Sequence, residues 1–171
     1  TLRCLEQIRN DASYHNLNIN IICMGAGFSY GVLGMSHHAT EDIAIMRALP
    51  GVTVISPSTS HEAYYATIDL SNNNGVGYLR LDKSKVEINN ELEHKFEIGK
   101  GNILNEGSDY IIFACGGIVE EALSAATVLE KENIGCRVVS MHSIKPIDSS
   151  LIYDAVINYK GIISLEEGSI T

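Results

Sequence analysis

The sequence GMSHHATED, residues 34–42, holds the densest group of potentially reactive side chains in this chain. Ser36, His37 and His38 are consecutive, and two carboxylates close the segment. An imidazole titrates near neutral pH, so it can accept a proton or hydrogen-bond a carbonyl group. The glycines that precede the serine would let a ligand approach the backbone closely. Residues 34–42 are therefore the first candidate site.

A predicted helix follows this segment and would position it. Ile43, Met46 and Leu49 recur at helical spacing, and Pro50 ends the pattern. We expect Ser36 to be able to cap this helix, and its dipole to disfavour protonated imidazoles at the same end. From residue types alone, a surface or capping role for the two histidines is favoured. A metal site, with each histidine paired to a carboxylate four residues on, is the weaker alternative.

Two further sets of residues follow predicted strands. Gly116 and Gly117 lie between a strand and a helix, where phosphates can bind, but the spacing of a dinucleotide or P-loop motif is absent, so a tight turn is favoured. Arg80 and Lys83 end a strand at the edge where ligands collect in open α/β sheets. Solvation at the surface is favoured for both. A structural turn is likewise favoured for His142, Lys145 and Asp148.

Strand and helix patterns alternate along the chain, which predicts parallel sheets covered by helices. The capping-box residues Thr59 and Glu62 open one of the helices, which we expect to last to about Leu70. The predicted strands are residues 19–24, 52–55, 76–81, 110–115, 136–141 and 162–165. We expect an α/β fold of two three-layer units with mostly parallel sheets.

A polar stretch in the middle of the chain predicts a boundary between these units. Residues 1–85 would form the first unit, 86–97 a linker, and 98–171 the second unit. The chain begins without Met inside an amphipathic helix whose inward stripe is Leu2, Leu5, Ile8 and Ala12. We therefore expect a part of a longer polypeptide, with the first unit truncated at its N-terminal side and the second incomplete at its C-terminus.

Composition excludes several classes of function. The 171 residues carry 12 Lys+Arg against 21 Asp+Glu, a formal net charge of −9, which disfavours a nucleic-acid partner. No apolar run approaches the roughly 18 residues of a membrane span, so no membrane partner is expected. The 4 cysteines show no C-x-x-C pair, which predicts packing roles in a reducing cytoplasm and no disulfide scaffold or zinc site.

Two motifs, about a hundred residues apart, carry a specific family resemblance. Residues 34–50, GMSHHATEDIAIMRALP, resemble the pyrimidine-binding domain of transketolases, and residues 54–58 resemble its next strand. Residues 143–148, SIKPID, and 165–171, LEEGSIT, resemble the C-terminal domain of the same family. The chain thus resembles the C-terminal half of a transketolase, and the resemblance covers nearly all of it.

The resemblance implies a thiamine diphosphate-dependent transferase of carbohydrate metabolism that moves a two-carbon ketol unit between sugar phosphates. In that family the cofactor's diphosphate and its magnesium ion are held by an N-terminal domain that this sequence lacks, and the glutamate that activates the cofactor lies upstream as well. Active sites form between subunits. The expected partners are therefore a second copy in a homodimer or an N-terminal transketolase subunit, and this chain alone should not turn over substrate.

A few site residues carry over from the resemblance. His37 matches the family's histidine beside the substrate, with a catalytic and substrate-binding role, and Ser36 matches the hydroxylated residue before it. Lys83 falls where many members place an arginine for the substrate phosphate. Leu33 stands where sugar transketolases often carry an acid, which puts ordinary pentose-phosphate specificity in doubt. No residue for the cofactor's binding is assigned.

Three alternatives to this function remain at the level of sequence. Two are enzymes, a deoxyxylulose-phosphate synthase or a 2-oxo acid dehydrogenase β-subunit-like protein, and the run of residues 41–44, EDIA, favours transketolase over both. The third is a non-catalytic α/β assembly module, for which Leu33 is the sequence hint.

Overall fold

The computed structural model describes residues 2–83, 86 and 96–168. Within these residues the chain forms two four-stranded sheets covered by helices. The strands are β1 (Ile19–Met24), β2 (Val52–Ile55), β3 (Val76–Leu81), β4 (Asn102–Asn105), β5 (Tyr110–Ala114), β6 (Cys136–Ser140), β7 (Ser143–Lys145) and β8 (Gly161–Leu165). The predicted α/β class with mostly parallel sheets is confirmed.

The first sheet has the order β1-β3-β2-β7, and its first three strands run parallel. One face packs against the N-terminal helical segment and α2 (Asp42–Ala48) through apolar residues of both. The other face packs against α3 (Ser60–Asn72) through Ala66 and Leu70. The carboxyl ends of β1 and β3 therefore lie together at one edge, where the loops that follow them can meet.

The N-terminal helical segment comprises a 3-10 turn (Leu2–Cys4), α1 (Leu5–Gln7) and a π-helical stretch (Ile8–Ser13). Ile8 and Ala12 are buried as the predicted stripe requires, whereas Leu2 is 59% exposed and the prediction for it is wrong. The core cluster that this segment joins begins at Leu5, so the first turn lies beyond the sheet that would cover it.

The second sheet has the order β4-β6-β5-β8, in which β6, β5 and β8 are parallel and β4 is antiparallel. α4 (Val119–Glu130) packs on one face with Ala122 and Ala126, and α5 (Ser149–Asn158) packs on the other with Ala155. Small alanines at these positions let each helix lie close to the sheet. Both sheets are thus the middle layer of three.

β7 is an element that the sequence did not predict. The segment expected as a turn around Lys145 is a short strand that pairs antiparallel with β2 of the first sheet, Val54 opposite Lys145 and Ile55 opposite Ser143. The Lys145 ammonium donates hydrogen bonds to the carbonyls of Arg47, at 3.0 Å, and Leu49 at the end of α2. A strand from the second half of the chain therefore completes the first sheet.

Other details differ from the sequence patterns. α3 runs to Asn72, two residues beyond the predicted end, and β4 was not predicted. Cys115 and Cys136 are buried, but Cys4 is exposed, so the packing role fails for it. Most of the predicted linker, residues 86–97, lies outside the described residues, and the unit boundaries stay a prediction. No helix in the described ranges is long and apolar enough to cross a bilayer.

Candidate functional site

Residues 27–39 form a loop whose two ends are joined by backbone hydrogen bonds. The amide of Gly27 donates to the carbonyl of Ala39 at 3.0 Å, and the amide of Ala39 donates to the carbonyl of Gly27 at 2.9 Å. Two 3-10 turns lie inside the loop, Gly31–Leu33 and Met35–His37. Gly34, between them, has φ +80°, which a residue without Cβ adopts at little cost. Four large apolar side chains of this loop are exposed: Phe28, Val32, Leu33 and Met35.

Ser36 and His37 lie together on the second of these turns, and both are exposed. The hydroxyl oxygen of Ser36 is 3.0 Å from Nδ1 of His37, and this ring makes no other hydrogen bond with the residues that the structure describes. His38 differs, because its ring packs edge-on against Phe28 at 5.0 Å between centroids and its Nε2 lies 3.3 Å from the carbonyl oxygen of Gly31. His38 thus stabilises the loop through contacts within it, whereas the exposed ring of His37 is accessible to a ligand.

The predicted capping role of Ser36 is wrong. α2 begins at Asp42, with Glu41 as its N-cap residue and no side-chain capping bond. The backbone is extended at His38, with φ −74° and ψ 140°, because Ala39 pairs with Gly27. The two histidines therefore precede the first turn of the helix, and the expected dipole effect, which falls off within one turn, does not act on them.

A cavity of about 450 Å³ lies beside Ser36 and His37, at the carboxyl ends of β1 and β3. Buried charges form part of its wall. Oδ2 of Asp42 accepts hydrogen bonds from the Tyr78 hydroxyl at 2.7 Å and from Nε of Arg80 at 3.0 Å. Arg80 is only 2% exposed, so its predicted solvation is wrong: the carboxylate of α2 compensates its charge inside the protein.

Arg80 also reaches the base of the loop. Its Nη2 donates to the carbonyl of Ala39 at 2.7 Å, the same oxygen that accepts from Gly27. The other oxygen of Asp42, Oδ1, has no hydrogen-bond partner among the described residues. This cluster gave no sequence signal, since Asp42 and Arg80 lie 38 residues apart.

Lys83 lies outside this cavity. It is exposed, with its ammonium 4.3 Å from the centre of the Tyr30 ring, and it lines a second cavity of about 270 Å³. The acids of that second cavity are Asp82, Glu120, Glu121 and Glu167. The structure thus brings Ser36 and His37 together and places Lys83 apart from them, beside four carboxylates.

Gly116 and Gly117 form a tight turn before α4, as predicted. The amide of Gly117 donates to Oδ2 of Asp82 at 3.1 Å, so a carboxylate already holds the donor that a phosphate would need. The Ser29 hydroxyl donates to Oδ1 of the same Asp82. Asp82 therefore links the start of the 27–39 loop to the second half of the chain.

A buried polar network joins the two halves elsewhere. The carboxylate of Glu62, on α3, accepts hydrogen bonds from the Ser58 amide at 2.7 Å, the Asn102 amide at 2.9 Å and the Ser140 hydroxyl at 2.9 Å. Nδ1 of His142 lies 3.5 Å from Oε1 of Glu62, and both side chains are fully buried. His142, predicted for a structural turn, lies in the short connection between β6 and β7, and its ring stacks on Phe96 within this junction.

The pKa of Glu62 reflects this environment. Burial raises it, but the neighbouring imidazole and the hydrogen bonds of Ser58 and Asn102 outweigh burial and lower the pKa below its ordinary value of 4.5. Burial also dominates at Cys115, where it raises the pKa of the thiol to about 12 and makes it a poor nucleophile. Across the described ranges, no three His, Cys, Asp or Glu side chains are grouped to hold a metal ion.

Comparisons with known proteins match both halves of the chain to one family. Residues 2–88 match the model of the transketolase pyrimidine binding domain, and residues 99–171 match that of the transketolase C-terminal domain. A putative transketolase C-terminal section of Methanocaldococcus jannaschii is 41% identical over 152 residues, 88% of this chain and 48% of that protein. An apulose-4-phosphate transketolase subunit of Actinobacillus succinogenes is 33% identical over 169 residues, 98% of this chain and 54% of that protein.

A solved structure shares the fold. It is that of a split gene transketolase, described as an inactive beta4 tetramer, and it superposes with a TM-score of 0.86 at 37% identity over 98% of this chain and 54% of that one. The chain therefore spans about half the length of the relatives that it matches.

Proposed function

The chain belongs to the transketolase family and corresponds to its C-terminal half, and on that basis we propose that it is part of a thiamine diphosphate-dependent enzyme that transfers a two-carbon ketol unit between sugar phosphates. The observation that carries this proposal is the exposed Ser36–His37 pair beside the cavity of about 450 Å³. An imidazole in that position can hydrogen-bond a sugar hydroxyl and move its proton near neutral pH.

We assign separate tasks to the two residues of the pair. His37 binds substrate hydroxyl groups and acts as the acid or base. Ser36 engages Nδ1 at 3.0 Å, which leaves Nε2 as the ring nitrogen for the substrate. The hydroxyl therefore orients the ring so that Nε2 faces the ligand.

The residues of the cavity fit one end of the cofactor. The buried wall includes Asp42, whose Oδ1 has no hydrogen-bond partner among the described residues. When bound, the cofactor supplies the electron sink that ketol transfer requires. The described part of the chain groups no three ligands for magnesium. We therefore propose that the diphosphate and its Mg²⁺ are held outside this chain.

Lys83 is the proposed contact for the substrate phosphate. Among the described residues that line the second cavity, which include four acids, Lys83 is the one cation. Carboxylates repel a phosphate, so recognition there would depend on this ammonium group. Lys83→Met should raise KM for a sugar phosphate about tenfold, the cost typical of losing one charged contact, and leave KM for the unphosphorylated sugar unchanged. Equal KM changes for both sugars would remove Lys83 from the site.

The proposed partners follow from the split of the site. We propose that the chain works as a homodimer or with an N-terminal transketolase subunit, and that it is inactive alone. The related structure, described as an inactive beta4 tetramer, supports self-association without turnover. A cytoplasmic location is proposed as well, supported by four free cysteines.

The test uses the complete enzyme that contains this chain, with thiamine diphosphate, Mg²⁺, a ketose phosphate donor and an aldose phosphate acceptor. His37→Ala should lower kcat/KM about 10–100-fold, the contribution of one acid–base group. His61→Ala, an exposed histidine on α3, is the matched control and should keep full activity. Full activity in His37→Ala, or no magnesium-dependent cofactor binding by calorimetry, would overturn the proposal. Pyruvate as the required donor would point to the synthase or dehydrogenase alternatives instead.

A further inference from the structure

We propose that Arg80 is a positioning residue for the reaction of His37: by holding the carbonyl of Ala39, it fixes the loop that presents Ser36 and His37 to the cavity. This inference rests on the proposed function for the role of His37. Arg80 itself is buried beneath the loop and need not touch the substrate.

Arg80 lies between helix α2 and the end of the 27–39 loop and donates hydrogen bonds to both. On one side, Nε donates to Asp42 Oδ2 at 3.0 Å, and Asp42 is anchored in the first turn of α2. Tyr78, on the same strand as Arg80, donates to that oxygen at 2.7 Å. On the other side, Nη2 donates to Ala39 at 2.7 Å. The guanidinium therefore ties the helix and β3 to the end of the loop.

The loop needs such an anchor at its second end. Its first end is held by the Ser29 hydroxyl, which donates to Asp82, and by the Phe28 amide, which donates to Glu167 at 3.4 Å. At its second end, the side-chain hydrogen bond that anchors residues 36–39 to the rest of the described structure is that of Arg80. Ala39 is two residues from His37, so a shift of its carbonyl moves the end of the turn that carries the imidazole.

The two hydrogen bonds require the shape of a guanidinium. Arginine presents several N–H groups in one rigid plane, so Nε and Nη2 can serve two acceptors at once. A lysine has a single nitrogen on a flexible stem, so it keeps the charge opposite Asp42 but cannot hold both acceptors at these distances. A displacement of about 1 Å in a catalytic group can cost about a hundredfold in rate.

The experiment is a double-mutant cycle in the complete enzyme, between Arg80→Lys and His37→Ala. Arg80→Lys alone should lower kcat about 10–100-fold and change KM less than about threefold, because it misplaces a group without removing binding contacts. In the His37→Ala background the same substitution should cost less than about twofold, since its effect passes through the imidazole. Arg9→Lys, at an exposed arginine, is the matched control and should change neither constant.

A second measurement needs no turnover. Hydrogen exchange in the cofactor-free protein should show the amides of Gly27 and Ala39, which bond each other across the loop base, exchanging at least tenfold faster in Arg80→Lys than in the parent or in Arg9→Lys. If Arg80→Lys does not fold, Arg80→Gln replaces it in both measurements, because its single amide nitrogen cannot serve both acceptors either.

The outcomes distinguish a failure of the inference about Arg80 from a failure of the function proposed for His37. Equal losses in the two backgrounds, or unchanged exchange at the loop base, would show a general structural role and overturn the inference while the function of His37 stands. If His37→Ala itself costs nothing, the proposed function fails first and the inference falls with it.

Discussion

Two buried carboxylates, Glu62 and Asp42, both lie in the first half of the chain, but they differ in how many of their hydrogen-bond acceptors are filled. Glu62 accepts three hydrogen bonds, shared between both of its oxygens, and has an imidazole beside it. Asp42 accepts two hydrogen bonds on one oxygen and leaves the other without a partner among the residues described. The saturated carboxylate joins the two halves of the chain, and the half-used one lies against a cavity.

The difference separates a structural charge from a functional one. A buried charge whose bonding capacity is filled stabilises one arrangement and resists change, because losing any partner leaves a group desolvated. A buried charge with spare capacity costs stability and persists where the surrounding structure has a use for it. The junction at Glu62 therefore fixes the halves, whereas the cluster at Asp42 keeps an unfilled acceptor in the wall of the cavity.

The largest effect is expected at the saturated carboxylate. Glu62→Leu leaves the side chains of Asn102, Ser140 and His142 buried without their shared partner, so the free energy of unfolding should fall by about 3–5 kcal/mol. Urea denaturation followed by circular dichroism measures it. Glu130→Leu, at an exposed position of α4, should change it by less than about 0.5 kcal/mol. Similar losses of unfolding free energy in the two variants would show that Glu62 contributes no more to stability than an exposed acid does.

Part of that stability should depend on pH. The folded-state pKa of Glu62 is lowered, so its contribution is present above the ordinary value of 4.5 and is lost as pH falls through the folded pKa. The stability gap between the parent and Glu62→Gln should therefore be constant from pH 7 to about 5 and shrink below pH 4.5. The hydrogen-bonded Asp148, whose pKa is also lowered despite its burial, is present in both proteins and cancels in the difference. A gap that widens on acidification contradicts the sign.

The link between the loop and the second half should be weaker than the junction. A Cβ at Gly117 would lie 2.5 Å from Oδ2 of Asp82, which receives the Gly117 amide. Gly117→Ala should destabilise the protein by about 1–3 kcal/mol, the usual cost of overpacking. Gly31→Ala is the control within the loop, since no atom lies within 4 Å of its added Cβ. Thermal unfolding of both variants measures the effect, and equal transition temperatures would refute the contact.

The smallest effect is expected where β7 meets α2. Lys145→Met removes the ammonium that donates to the carbonyls of Arg47 and Leu49 at the helix end. Removing a cation from a helix C-terminus costs about 0.3–1 kcal/mol at low ionic strength, and salt screens it. Unfolding free energies at low salt and at about 1 M salt measure this. A loss that is independent of salt would assign the stabilisation to packing of the lysine stem.

Local patterns predicted the elements that depend on neighbours in sequence. The capping box is one example, because the Glu62 amide does donate to the Thr59 hydroxyl at 3.1 Å. β7 is the opposite case. Its three residues are too few for a periodic pattern, and it forms because β2, about 90 residues earlier, offers an open edge. Burial of Arg80 was equally hidden, since it depends on an acid on a different element.

The sequence predicted which segment holds the candidate site, but it did not predict how the side chains of that segment are arranged. Ser36, His37 and His38 were singled out by residue type, and the structure places the first two together at the cavity. The cap geometry was wrong because a long-range bridge, Gly27 to Ala39, overrides the local preference of Ser36. The family motif predicted His37 as a site residue without knowledge of the fold, whereas the contacts of Arg80 beneath it are visible only in the structure.

The pairing of β7, from the second half of the chain, with β2, from the first half, limits where the gene for such a chain can be divided during evolution. A gene fission between the two halves would leave β2 with a bare edge in one product and the SIK tripeptide without a sheet in the other. It would also divide the Glu62 network, leaving the carboxylate in one product and the donors Asn102 and Ser140 in the other. Recombination that exchanges one half for that of a relative would meet the same obstacle, since the edge, the network and the Asp82 link must all match. The two family domains in this chain should therefore be inherited together.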